Sequence, residues 1–508
     1  MTPLPPNSAN VRNVVDYHQP GDTDWTQAFR RACQSEGALT EIVQTIVYVP
    51  PSQTPYMISD TIYVRLGCVI QGPGYTLAEV RGSAGLANKP MFRLGIGRVG
   101  GVESDDTVAI PGFGPAPEVR DMYITATAGG TIGVRTAGVG GWAVQRCWFR
   151  CPVGIEAGSS GGLISSCVND GGHVFIDVTG YLTRIVACES FNAYFDIRFV
   201  ASDVKDIVVS GCLFYSSRTT SILFSGGGSS DIRNVLFSGC TFVGRTDILD
   251  TGPPYPFPDT PDHAFVRYDS AATGVRFTGC TFRASIRAAV YCPWGGSGDH
   301  GYIGCSFIGD PPVAGRQTRS GNVGVEYRSS ASVQIAGCRF DTFGGTPVIL
   351  QGTSSLQLIG NAIENAFTRG TPSLEANKVM VLLDAVGDDN TIIGNRTSST
   401  QLYVVGICAS GTMQSSGNRS RYSTADVFLG INGSASVNER GVDNGAFQTI
   451  RDTLNGRRIF SLPAIPRGGS YNPGDLIYHS SPAPGGNVGW VYVGGSQRGW
   501  KAFGAIAL

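Results

Sequence analysis

Acidic side chains are sparse in this 508-residue chain, 39 Asp and Glu in all, and four of them share a spacing. Glu156, Asp177, Asp269 and Asp384 each stand eleven residues before a cysteine or asparagine that itself recurs along the chain. The residue before each (Ile155, Ile176, Tyr268, Leu383) is apolar or aromatic. Successive side chains of a strand alternate faces, so this set predicts an inward apolar column beside an outward column of carboxylates. Two further carboxylates lie on related stretches: Asp196 in YFDIRF, 16 residues before Cys212, and Glu326 in GVEYRSS, 12 before Cys338. Arg198, Arg267 and Arg328 accompany them. Paired carboxylates suit glycosidic cleavage, one protonating the leaving oxygen and the other attacking or activating water, at about 5–5.5 Å when configuration is retained and about 6.5–9.5 Å when it inverts. Outward aspartates also cap turns and keep stacked strands soluble.

The elements that position these residues follow from the recurring column. Cysteine appears in one local setting at Cys147, Cys167, Cys188, Cys212, Cys240, Cys280, Cys305 and Cys338, and asparagine continues it at Asn361, Asn395 and Asn418. The settings run from VQRCWF through FSGCTF and IAGCRF to LIGNAI and IIGNRT, at intervals of 20 to 40 residues. A residue returning at a minimum of about 20 residues marks a solenoid with one coil per repeat, the surplus being loops. Stacked, parallel-pointing cysteines are poorly placed for disulfides, so the column reads as buried free thiols, assembled in a reducing compartment. The asparagines extend it as a hydrogen-bonded ladder. No CxxC pair occurs, and neither metal nor cofactor is expected.

Rung counting then ranks the carboxylate pairs. Glu156 and Asp177 fall on adjacent rungs, about 5 Å apart at the backbone, and Asp269 and Glu326 two rungs apart, about 10 Å. The longest insertions follow Cys240 (VGRTDILDTGPPYPFPDTPDH), Cys305 and Asn361. They are expected to leave one edge of the solenoid and wall a groove over Asp269, Glu326 and Asp384. The first carries Tyr255, Phe257 and His263, and Trp294 counts to the carboxylate column one rung on. Aromatic faces stack on sugar rings, so these four join Arg267, Arg328 and Tyr327 as candidate substrate contacts, with His263 also a candidate acid–base partner. Asp269 and Glu326 are the leading catalytic candidates, with Asp196, Asp177 and Asp384 behind them. Lys205, between Asp203 and Asp206, reads as a turn lysine that a lyase could use as base.

Composition bounds the alternatives. Gly is 70 of 508, only 15% of residues are charged, and net charge is −1, which gives no electrostatic case for nucleic acid or an anionic membrane. No apolar run is long enough to span a bilayer, and MTPLPPNSANVRNVV lacks the form of a secretory signal. Only four lysines occur (Lys89, Lys205, Lys378, Lys501), which narrows the choice of a catalytic base.

The two ends differ from the repeats. DTDWTQAFRRACQSEG predicts a helix capped by Asp24 or Thr23, with Trp25, Ala28, Phe29 and Cys33 as its apolar stripe. GDTDWTQAFRRAC, then VYVPPSQTPYMIS, then VRLGCVIQGPG, resembles the opening of the pectate-lyase-like superfamily of right-handed parallel β-helices, with Gln53 and Thr54 where Gly-Thr is usual. That resemblance implies an all-β right-handed parallel β-helix with an N-terminal capping helix, acting on polysaccharide. The end of the chain, NPGDLIYHSSPAPGGNVGWVYVGGSQRGWKAFGAI, resembles the terminal segment of many phage tailspike depolymerases. It implies a small C-terminal β domain, a homotrimer, and a place on a phage virion tail or outside the cell. The expected organisation is an arm and cap over residues 1–65, the β-helix over 66–425, and a C-terminal β segment over 426–508 that trimerises the chain. Tail attachment would fall to residues 1–12. The expected activity is depolymerisation of a bacterial surface or extracellular polysaccharide by a glycoside hydrolase. The alternatives are a polysaccharide lyase and a non-catalytic glycan-binding spike.

Overall fold

The column of cysteines marks corners rather than strands. In the computed structural model each sits between two short strands, as Cys147 does between Trp142–Gln145 and Trp148–Arg150. The residue before it takes the left-handed conformation: Arg146, Ser166, Ala187, Gly211, Gly239 and Gly279 have φ of 50–61°. Glycine adopts that φ without strain. A Cβ at Gly211, Gly239 or Gly279 would meet nothing within 4 Å, so only the backbone preference is at stake, and Arg146, Ser166 and Ala187 are tolerated. The side chain that follows is folded inside the corner, where a small residue fits. Met122, fully buried behind Asp121 at φ 59°, takes the place one rung earlier.

The structure describes residues 10–36, 44–99, 102–105, 115–136, 140–158, 160–200, 203–215, 217, 219–226, 232–244, 264–283, 288–293, 297–309, 323–343, 347–352, 355–364, 381–384, 390–398, 403–408, 412–416, 419–420, 427–432, 436–440, 443–444, 451–453, 457–462, 464–465, 473–479, 481–494 and 499–507. They form two compact units, Met1–Asp299 and His300–Leu508.

In the first unit the chain winds through three parallel sheets, the fold of a right-handed parallel β-helix. One coil runs Gly162–Ser165, the Cys167 corner, Val168–Asp170, then Val174–Val178. The next repeats it with Arg184–Val186, Glu189–Phe191 and Phe195–Phe199, each strand pairing in parallel with its predecessor. Parallel pairing begins with Val11–Asn13 on Thr45–Tyr48, which in turn pairs with Cys68–Gln71. A helix, Thr26–Ala32, buries Ala28, Phe29 and Ala32; Trp25, not Asp24 or Thr23, stands at its N-cap, without a side-chain cap bond, and Asp24 Oδ1, just ahead of it, accepts the Thr26 N–H at 2.8 Å. The interior is filled by aromatic stacks: Phe214–Phe242 at 5.1 Å, Phe242–Phe282 at 4.7 Å, and Phe237–Phe277 at 4.4 Å between ring centroids. Stacking like on like along a rung column is what a repeat with identical inward positions allows.

The second unit continues the same three-strand coil, as in Ser332–Ala336, Arg339–Asp341 and Val348–Gln351. Here the corner carries asparagine. Asn361 donates to Asn395 Oδ1 (2.9 Å) and Ile335 O (2.9 Å) and accepts the Cys338 N–H (2.8 Å). The thiols do the same more weakly, Cys147 Sγ lying 3.6 Å from Val119 O and Cys167 Sγ 3.5 Å from Val144 O. The twelve cysteines whose side chains are described are free and buried, and burial pushes the Cys147 and Cys151 thiols up to about 12. Parallel pairing continues to Asp443–Asn444, so the winding extends past residues 66–425 at both ends. In sequence the last coil reads Arg440-Gly441-Val442-Asp443, with valine in place of the marker residue. A separate sheet follows (Arg451–Thr453, Arg457–Leu462, Leu476–His479, Asn487–Tyr492, Trp500–Ala505), built on Ile477, Tyr492 and Trp500. Among the described residues no helix is long and apolar enough to cross a membrane.

Candidate active site

The outer face of the third sheet in the first unit brings together four charged residues in one row. Register places Arg135 opposite Glu156, Glu156 opposite Asp177, and Asp177 opposite Arg198. Ile155, Ile176 and Ile197, one residue earlier, are wholly buried. The row therefore reads plus, minus, minus, plus on four successive strands, with neighbouring backbones about 4.8 Å apart. Arg198 grips Asp177 with both N–H groups of one edge, Nε to Oδ1 and Nη2 to Oδ2, each at 2.7 Å. Arg135 Nη2 holds Glu156 Oε2 at 2.8 Å. The side chain of Asp177 is 9% exposed and that of Glu156 25%, so the first is fixed and the second keeps a face to solvent.

Three residues not selected from the sequence complete this patch. The Arg198 guanidinium carbon lies 5.8 Å from the Phe195 ring centroid. His173, at the turn into Val174–Val178, has its ring 5.3 Å from Tyr194 and 5.5 Å from Phe195. Desolvation, and then the Arg198 charge, hold His173 below the ordinary histidine value against the opposing pull of Asp177. The HVF and AYF segments carry no motif; only their register reveals them. Among the described residues no group of three or more His, Cys, Asp or Glu side chains is placed to hold a metal ion.

The other selected residues are dispersed. Asp269 is not in the column with Asp177: Arg267 occupies that register, opposite Leu223, and Asp269 follows two residues later, past the end of Ala264–Tyr268. Its carboxylate accepts Arg267 Nε at 2.6 Å. The connection from third to first sheet is longer in this coil, with an extra short strand Ala272–Thr273 before Val275–Thr278, so counting back eleven from Cys280 stops two residues short of the register position, Arg267. Glu326 belongs to the second unit, 3% exposed, with Arg328 Nε at 2.8 Å from Oε1. Asp384 pairs in register with Gln351, and Gln351 with Arg328, two places beyond Glu326. Tyr327 lies in the interior with no exposure, its hydroxyl 2.9 Å from both His300 Nδ1 and Tyr302 Oη, which removes it from the substrate contacts. Tyr255, Phe257, His263 and Trp294, with the three long insertions, fall outside the described residues. Lys205 Nζ bonds Asp203 at 3.1 Å and sits 5.3 Å from the Tyr181 ring centroid.

Asp196 is also corrected: its carboxyl is inside the coil, without exposure. The second residue of these strands turns inward along with the third. A Cβ on Gly133 would lie 2.9 Å from the core ring of Phe149, and one on Gly154 3.5 Å from it. On the second sheet the inward position runs Phe149, Asn169, Ser190, Phe214, so two polar residues interrupt the phenylalanine stack where Asp196 enters. Ser217 Oγ donates to Asp196 Oδ2, Ser217 and Ser221 hydroxyls are 2.7 Å apart, and Asn169 Nδ2 donates to Ser190 Oγ at 3.2 Å. Burial pushes the Asp196 carboxyl up to about 7, against the hydrogen bonds of Ser190, Ser217 and Ser221.

The fold is shared with solved structures. A double mutant of the tailspike protein of E. coli bacteriophage HK620 aligns at 13% identity over 84% of this chain and 80% of that one, with a TM-score of 0.51. Tailspike protein 3 of bacteriophage CBA120 aligns at 12% identity over 98% of this chain and 70% of that one (TM-score 0.46). The catalytic domain of a GH87 α-1,3-glucanase aligns at 9% over 87% and 70% (TM-score 0.38). No family model and no curated protein matches the sequence. The first likeness gives the chain a tailspike-like parallel β-helix; at that identity it speaks for the fold alone.

Proposed function

We propose that this chain is a polysaccharide depolymerase that hydrolyses glycosidic bonds on the outer face of its third sheet, using Glu156 and Asp177. The observation that carries this reading is their register: two carboxylates on adjacent strands, on one outward face, bracketed by arginines that fix them. A backbone spacing of about 4.8 Å suits the short carboxyl separation of a retaining enzyme. Asp177, clamped by Arg198, is the nucleophile that forms the bond to the anomeric carbon. Glu156 gives its proton to the departing glycosidic oxygen. Water then attacks the glycosyl–Asp177 ester, and its proton returns to Glu156. Asp269 with Arg267, Glu326 with Arg328, and Asp384 remain the second set to test, each by its own substitution. The fold shared with a tailspike and the resemblance of the C-terminal segment support a bacterial surface or extracellular polysaccharide as substrate. They also support a homotrimeric spike on a phage tail, attached through residues 1–12, or a free extracellular form.

A second reading is favoured by His173, an imidazole kept neutral beside an arginine. In a polysaccharide lyase Arg198 would neutralise a uronate carboxylate while His173 removes the proton α to it. The two differ in product: elimination leaves an unsaturated uronate that absorbs ultraviolet light, and hydrolysis does not. Reducing-end release across a panel of capsular and extracellular polysaccharides, with product absorbance recorded, tests both. No release from any polymer, the native host's included, leaves the non-catalytic glycan-binding spike.

A further inference from the structure

The second sheet of the first unit carries a cleft of about 640 Å³ on its outer face, away from the Glu156–Asp177 row. Thr125 stands opposite Arg81 on one neighbouring strand and Arg150 on the other. The two guanidinium-bearing positions are therefore two rungs apart, about 10 Å at the backbone. Arg81 is tied down: Glu79 Oε1 accepts its Nε at 2.8 Å and the Thr125 hydroxyl at 2.6 Å. Arg150 is different. It is exposed, and its guanidinium makes no hydrogen bond or ion pair among the described residues. Asp170 is its neighbour, one position past the Phe149–Asn169 pair on the adjacent strand, and it too has no such partner among them. Opposite charges on adjacent strands, lining one cleft and not bonded to each other, leave both open to a ligand.

The rim adds apolar faces. Tyr123 lines the cleft, the Trp148 ring lies 6.1 Å from it, and Tyr75, 41% exposed, lies 5.2 Å from Trp148. An aromatic ledge for a sugar face, a carboxylate for hydroxyls and an uncommitted guanidinium for an anionic substituent are complementary to one ligand class. We propose that this cleft is a second glycan site, binding an acidic sugar residue of a polysaccharide chain through Arg150, Asp170 and the Tyr123–Trp148–Tyr75 ledge. The proposal rests on the carbohydrate reading above but not on cleavage.

The test is calorimetric titration of the full chain carrying Glu156→Gln with hexamers of galacturonate, mannuronate and hyaluronan, and with neutral maltohexaose and cellohexaose. An acidic hexamer binds and the neutral ones do not. Arg150→Ala weakens that binding about tenfold or more, as loss of a charge-assisted bond requires. Arg150→Lys restores part of it, raised salt weakens it, and Arg184→Ala, which removes an equal charge from the first sheet, leaves it unchanged. Absence of binding by every acidic hexamer, equal binding of the neutral ones, or indifference to Arg150→Ala overturns the proposal. Cleavage is read separately, as reducing ends from the unsubstituted chain. Binding without cleavage keeps the cleft and removes the hydrolase, and cleavage without Arg150-dependent binding does the reverse.

Discussion

Asp177 and Asp196 lie on paired neighbouring strands, one coil apart, and meet opposite environments. Asp177 faces out and is held by two bonds from Arg198. Asp196 faces in, among serines and Asn169, and is paired with no cation among the described residues. The outer carboxylate has its charge compensated, whereas burial drives the inner one to hold its proton. Asp177 is fourth in its strand and Asp196 second, so a two-residue difference in strand position separates a group equipped for chemistry from one that is part of the core.

The largest effect should come from the outer row. Asp177→Asn and Glu156→Gln should each lower kcat for polymer cleavage by about 10²–10⁴-fold, the range for loss of a positioned acid, base or nucleophile, while thermal unfolding shifts little. Equal loss in Asp196→Asn would break the contrast, because that carboxyl has no access to substrate.

Next in size is a stability effect on the same row. Arg198→Ala leaves Asp177 nearly buried without its partner and should cost about 2 kcal/mol, discounted for the partial exposure of the arginine. Arg135→Ala, beside the more exposed Glu156, should cost less than about 1 kcal/mol. Denaturant midpoints of the two variants check the order.

The inner aspartate should show in pH dependence. Its folded pKa, about 7, lies above the ordinary aspartate value of 3.8, so the fold holds a proton that the unfolded chain releases. That contribution is complete below about pH 4 and lost as pH rises toward 7, a span worth on the order of a few kcal/mol. Asp196→Asn should flatten the fall in unfolding free energy between pH 4 and 7. An unchanged slope in that variant would assign the dependence to other groups.

The corner column sharpens the comparison at smaller scale. Asn361→Ala strands the Cys338 N–H and takes a donor from Ile335 O, and should cost about 2 kcal/mol, while Asn361→Cys should cost about 1 kcal/mol or less.

These contrasts mark what was legible in the sequence. The solenoid was, because a cysteine or asparagine tucked into the corner behind a left-handed residue, glycine at Gly211, Gly239 and Gly279, recurs from coil to coil. The capping helix was, through the Ala28–Phe29 stripe, though its N-cap is Trp25 and not Asp24 or Thr23. The Glu156–Asp177 pair was too, because the coils ending at Cys167 and Cys188 have equal spacing from strand to corner. The position of Asp269 was not, since its connection to the next strand is longer. Asp196 was misread because strict alternation assumes a regular strand, and the inward second position breaks it. His173, Tyr194 and Phe195 gave no sign, since their closeness to Arg198 depends on register between coils.

The central claim is that Glu156 and Asp177 cut glycosidic bonds. Reducing-end release from a polymer that the unsubstituted chain degrades, measured in parallel for Asp177→Asn, tests it most directly. Saturable release by the parent chain, no ultraviolet-absorbing product, and a loss of about a hundredfold or more in the variant are expected. Full release by folded Asp177→Asn would contradict it.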